Sequence, residues 1–146
     1  DQGIKNIKSD SDKGLFEGCS SLVHISIPSS VTEIGKNTFK GCSKIENIII
    51  PSSVSKIGES AFMKCSSIRK VSIPMSVKSI GSFAFCGCDS MTHVYLPISF
   101  KKIGENTFKD CLSLKKITSI HNDADDMDSL IKRIGLDPDI KIIMED

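Results

Sequence analysis

The chain has 146 residues, 39% apolar and 25% charged, with no Trp, one Tyr and six Cys. No stretch approaches the roughly 20 consecutive apolar residues of a membrane-spanning helix. That excludes a transmembrane helix, and with 19 basic against 18 acidic side chains the formal net charge of +1 gives no overall attraction to nucleic acid or to an anionic membrane. The charge is unevenly placed, since residues 119–146 hold eight acids and three bases, a net of −5, and the other 118 hold 16 bases and 10 acids, a net of +6. No signal-peptide pattern is present, and because the sequence starts at Asp1 rather than Met this assigns no compartment.

A period of 23 residues orders the rest. Pro28, Pro51, Pro74 and Pro97 are 23 apart, as are Gly35/Gly58/Gly81/Gly104, Phe16/Phe39/Phe62/Phe85/Phe108 and Cys19/Cys42/Cys65/Cys88/Cys111. Aliphatic columns accompany them: Leu22/Ile45/Ile68/Met91/Leu114, Ile25/Ile48/Val71/Val94/Ile117, Ile27/Ile50/Ile73/Leu96, Val31/Val54/Val77/Phe100 and Ile34/Ile57/Ile80/Ile103.

In chain order, residues 1–14 form a degenerate N-terminal unit. Ser11 and Asp12 stand there where the columns require Ile and Gly, and Lys5 where they require Pro. Residues 15–120 carry the repeats. Each unit opens with a strand such as Leu22-x-x-Ile25-x-Ile27, closed by a proline that cannot donate to a ladder. Val31-x-x-Ile34-Gly35 predicts a second short extended piece turned by the glycine. Asn37 to Cys42, like Ser60 to Cys65, is too short for an independent helix and predicts a single helical turn. One unit cannot bury its own apolar edge, whereas stacked units turn each column into a continuous interior ladder. Residues 121–146 predict a cap. The acidic run Asp123 to Asp128 suits a helix N-terminus, Leu130, Ile131 and Ile134 give an apolar face, and Gly135 and Pro138 break the chain before Ile140 to Met144. The expected elements are a helix over 126–134 and a strand over 139–144, closing the open end of a single domain, 1–146.

The unit I-P-S-S-V-x-x-I-G-x-x-x-F-x-x-C-S-x-I/L-x-x-I/V, most complete between Leu22 and Cys111, resembles the BspA-type leucine-rich repeat. The resemblance implies an α/β solenoid of about five rungs, some 24 Å long at the strand spacing. Its features would be a horseshoe arc, a parallel sheet on the concave side, short helical turns and a C-terminal helix-strand cap. Family members are commonly surface proteins of bacteria and anaerobic protists that attach to host or matrix molecules. The resemblance therefore implies a binding or adhesion role at the cell surface or in secreted form.

Neighbouring rungs about 4.8 Å apart would allow a disulfide between adjacent column cysteines, but a buried free thiol packs as a small hydrophobe and fits an inward ladder better than a disulfide or a metal site. Cys86 lies outside the column and aligns with Lys40, Met63 and Lys109, which predicts an exposed thiol open to reaction or crosslinking. Cys86-x-Cys88 lacks the paired spacing of a zinc site. His24 and His93 are three units apart, about 14 Å, too far to share a metal, and His121 stands apart from both. Asp10-Ser-Asp12-Lys-Gly14 and Asp123-Ala-Asp125-Asp126 lack the EF-hand glycine and glutamate. There is no H-E-x-x-H, G-x-S-x-G, P-loop, G-x-G-x-x-G or N-x-[ST] motif. No catalytic residue, cofactor or metal is expected.

Strand alternation instead points to a surface. His24/Asn47/Lys70/His93/Lys116, Ser26/Ile49/Ser72/Tyr95/Thr118 and Val23/Glu46/Arg69/Thr92/Lys115 should face outward, with no acid after Glu46. Arg69, Lys70, Ser72, His93, Tyr95, Lys115, Lys116 and Thr118 are the candidate binding residues on the concave face. They suit a protein or an acidic, sulfated glycan, with neither nucleic acid nor membrane insertion involved. The expected function is a non-enzymatic macromolecule-binding module, a surface adhesion or ligand-binding fragment. The alternative is a cytoplasmic protein-protein interaction scaffold or regulatory subunit. End rungs offer self-association.

Overall fold

In a computed structural model the described residues are 6–7, 12–97, 102–119, 131–136 and 139–144. Their strands are β1 (Asn6–Ile7), β2 (Glu33–Ile34), β3 (Lys56–Ile57), β4 (Lys70–Ser72), β5 (Ser79–Ile80), β6 (His93–Leu96), β7 (Lys102–Ile103), β8 (Lys116–Ser119) and β9 (Lys141–Met144). All pairings are parallel, giving one sheet ordered β1-β2-β3-β5-β7 and a second ordered β4-β6-β8-β9. The chain is thus a parallel-sheet β-solenoid of about five turns. The register follows the repeat, with Ile34, Ile57, Ile80 and Ile103 side by side. The longer sheet carries Val71, Val94 and Ile117 in file. In the two preceding coils, residues 22–27 and 45–50 keep the expected alternation of burial without forming assigned strands.

A third ladder replaces the helical turns that the sequence predicts. Asn37, Phe39 and Gly41 donate their N–H groups to Glu59, Ala61 and Met63 of the next coil at 2.9, 2.8 and 2.8 Å. Ser60, Phe62 and Lys64 do the same to Ser82, Ala84 and Cys86. With alternate donors committed across coils, only i to i+3 closures remain within the segment, such as Lys40 N–H to the Asn37 carbonyl. Left-handed residues at Asn37 (φ 56) and Gly41 (φ 76) bend the chain around the corner. The segments are therefore tight turns, and helical backbone among the described residues is confined to 131–133.

The interior is filled by the repeat columns. Phe16, Phe39, Phe62, Phe85 and Phe108 stack with ring centroids 5.1–5.7 Å apart and planes within 14° of parallel. Polar groups are satisfied from coil to coil. Ser53 and Ser76 Oγ donate to the carbonyls of Val31 and Val54 at 2.6 Å, while within its own coil Thr107 Oγ1 donates to the Gly104 carbonyl at 2.7 Å. Among the described residues, no buried side-chain nitrogen or oxygen lacks a partner.

Both ends depart from the period. Ile7, not Ser11, fills the isoleucine column, because β1 pairs Ile7 with Ile34, 27 residues on, while Gly14 aligns with Asn37 at the usual 23. The first coil thus contains four residues more than the regular 23-residue coils. At the far end the carbonyls of Arg133 and Ile134 accept from Asn106 and Phe108 at 2.9 Å, taking over the turn ladder, and Ile134 and Leu136 are buried in the core. Only residues 131–134 of the expected helix over 126–134 are described; the acidic run from Asp123, Leu130 and His121 lie outside the described residues, as do Phe100, Lys5, Asp10 and Ser11. The expected strand over 139–144 is present as β9, a parallel neighbour of β8.

Candidate functional site

The outward side of β4, β6 and β8 brings the candidate residues together. Lys70, His93 and Lys116 are register partners, and Ser72, Tyr95 and Thr118 form the neighbouring file. Arg69, Lys70, Ser72, Tyr95 and Lys115 are exposed, while His93 and Lys116 are half-buried. Thr118 departs from expectation: it is 4% exposed. The cause is β9, which adds a strand on the far side of β8 and places Ile143 beside Thr118, opposite Tyr95. The same pairing makes Lys141 the register partner of Lys116. The repeated Lys-Ile of Lys116-Ile117 and Lys141-Ile142 was the available signal for this extra rung, but its offset of 25 residues hid it from a search at 23.

Backbone bonds fix the edge of this face. Thr92 takes its amide and its Oγ1 to the Arg69 carbonyl, at 2.8 and 3.2 Å, and that hydroxyl lies 3.0 Å from His93 Nδ1. Among the described residues, no carboxylate forms an ion pair with Arg69, Lys70, Lys115 or Lys116; the two ion pairs observed are Lys36–Glu59 and Lys40–Glu17. Ile49, which sequence reasoning placed in this file without counting it as a binding residue, is 82% exposed, and Tyr95 is 42% exposed.

The cysteines form a different arrangement. All six are free thiols. Cys42, Cys65, Cys88 and Cys111 Sγ each donate to the carbonyl of a phenylalanine one coil back, Phe16, Phe39, Phe62 and Phe85, at 3.1–3.3 Å. Burial pushes the Cys42 thiol up to about 11 and those of Cys65 and Cys111 up to about 12. Cys86 corrects the expectation of an exposed, reactive thiol: it is 6% exposed. Its ionisation is pushed up by burial and then by the Asp110 carboxylate, against the nearby Lys109 and Lys64. The cause is the turn ladder, which draws this position against the neighbouring coils. Among the described residues, no group of three or more His, Cys, Asp or Glu side chains could hold a metal ion, and no helix is long and apolar enough to cross a membrane.

Solved structures carry the same architecture. A leucine-rich repeat protein from Bacteroides ovatus is similar over 99% of this chain and 43% of its own length, with 28% identity and a TM-score of 0.74. A leucine-rich repeat protein of T. pallidum is 42% identical over 70% of this chain and 48% of its own, with a TM-score of 0.69. A leucine rich cell surface protein from Faecalibacterium prausnitzii is 26% identical over 76% of this chain and 34% of its own, with a TM-score of 0.53. The chain thus spans less than half the length of each of these structures. No curated protein matches it. A BspA-type leucine-rich repeat region matches in six copies over residues 6–129, a repeat typical of protein-interaction modules. With Pro, Phe, Gly and Cys recurring every 23 residues, its Phe rings stacked from coil to coil and that match over most of its length, the chain belongs to the BspA-type leucine-rich-repeat family.

Proposed function

We propose that the chain is a non-enzymatic binding module that meets a macromolecule through the outward side of β4, β6 and β8, in adhesion or ligand capture at a cell surface. The observation that carries this reading is the row of cations, Arg69, Lys70, Lys115 and Lys116, held on a stiff parallel sheet with no described carboxylate paired to them. Such a field attracts acidic partners, and a rigid scaffold lowers the ordering cost of binding. The surface setting is supported by the similar Faecalibacterium prausnitzii protein, which is described as a leucine rich cell surface protein. Six free thiols favour a second reading, a cytoplasmic interaction scaffold, because reducing compartments keep cysteines unpaired.

The test is affinity capture with the immobilised chain, repeated with Lys70→Ala, Tyr95→Ala and Lys116→Ala combined. Specific partners should be lost from the triple variant while its unfolding midpoint stays unchanged. Retention of the same partners would discard this face as the contact surface.

A further inference from the structure

We infer that the partner of this face is an extended acidic peptide with alternating apolar residues, laid across the strands along the solenoid axis. The inference rests on the reading above that this face is the contact surface, and it adds the chemistry of the ligand. Two kinds of lane lie side by side there. Ser72 and Tyr95 are register partners, and Ile49 holds the equivalent place one coil earlier, so an apolar-hydroxyl-apolar lane runs Ile49, Ser72, Tyr95. Two residues back along each strand, about 7 Å away, runs the lane of Lys70, His93 and Lys116, with Arg69 and Lys115 alongside.

The cationic lane calls for negative charge, but the apolar lane decides which kind of anion. An isoleucine left 82% in water beside the sheet, one coil before its first strand, gains from cover by an apolar side chain, and the half-exposed ring of Tyr95 two rungs on offers a second anchor of the same type. A sulfated glycan could use the lysines, yet it would leave Ile49 in water. With rungs about 4.8 Å apart, the span from the Ile49 coil to the Thr118 coil is about 14 Å, the reach of about five extended residues. Because side chains alternate along an extended segment, carboxylates can turn toward the cationic lane while apolar residues meet Ile49 and Tyr95.

The probe is a fluorescein-labelled octapeptide alternating glutamate with leucine or phenylalanine, titrated with the full chain and followed by anisotropy. The controls are the same peptide with serine at the apolar places, and heparin. The alternating peptide should bind, with the serine version about tenfold weaker. Ile49→Ser should weaken the alternating peptide about fivefold, and Lys70→Ala with Lys116→Ala about tenfold, both without a shift in unfolding midpoint. Equal binding of the two peptides, or no effect of Ile49→Ser, would overturn the inference. Heparin binding without peptide binding would overturn it too, yet leave the face as a contact surface. If no probe binds, the inference fails, and the capture experiment above judges the broader reading separately.

Discussion

Along the wall of turns every coil from Phe16 to Phe108 repeats the same set of contacts, whereas on the opposite wall the strand ladder begins only at Lys70. In the first, aromatic stacking, thiol-to-carbonyl bonds and backbone bonds all pass from coil to coil, so each residue type is dictated by the copy beside it. In the second, only the inward positions are fixed. The outward ones vary freely among Asn47, Lys70, His93 and Lys116 or Ile49, Ser72 and Tyr95. The difference teaches where the fold is held and where it is at liberty to bind: a position shared with both neighbouring coils cannot change alone, while one facing water can.

The largest test of that division is Phe62→Ala. Phe62 is fully buried between Phe39 and Phe85, and its removal should cost about 3–5 kcal/mol, read from the urea midpoint. Lys70→Ala should stay within about 0.5 kcal/mol of the parent; comparable losses at both would erase the distinction.

Alkali sharpens the comparison next. Cys65, ordinarily near 9.0, is held at about 12 by burial and by the adjacent Cys42, so above 9 the unfolded chain releases a proton that the folded chain keeps. Its contribution is whole below pH 9 and is lost as pH rises towards 12, at up to about 1.4 kcal/mol per pH unit for a fully buried thiol. Urea midpoints should therefore fall through this range, and less steeply in Cys65→Ala; parallel curves would show that this thiol does not sense the core.

The smallest effect tests a flaw in the regular wall. Phe83 holds φ at 58° where the equivalent residues are Gly14, Asn37, Ser60 and Asn106. A bulky side chain is disfavoured there, and Phe83→Asn should raise stability by about 0.5–1 kcal/mol in the same measurement. A loss of stability would mean that the ring's packing outweighs the backbone strain.

The same contrast explains what could be read from the residues. The columns of Phe, Cys and Ile were legible because from Phe39 onward each fills one interior place in coil after coil, and so was the short second strand ending at Ile34, Ile57, Ile80 and Ile103. The turns after it were not. Local pattern reports which residues neighbour each other along the chain, and it carries no record that Phe39 and Gly41 give their amides to the next coil. The candidate face was legible by alternation for Lys70, His93 and Tyr95. It failed at Thr118, where the covering strand β9 arrives from outside the period. Cys86 was misread because its column mixes Lys40, Met63 and Lys109, whose long side chains can reach water from a place where a short thiol cannot.

The first coil reaches Gly14 from Ile7 in seven steps, where the next goes from Ile34 to Asn37 in three, yet both pairs sit in the same columns. Alignment of the solenoid is therefore set by what lies alongside, not by how much chain runs between. Foreign sequence or a reporter tag inserted between Ile7 and Gly14 should therefore leave the rungs that follow in place.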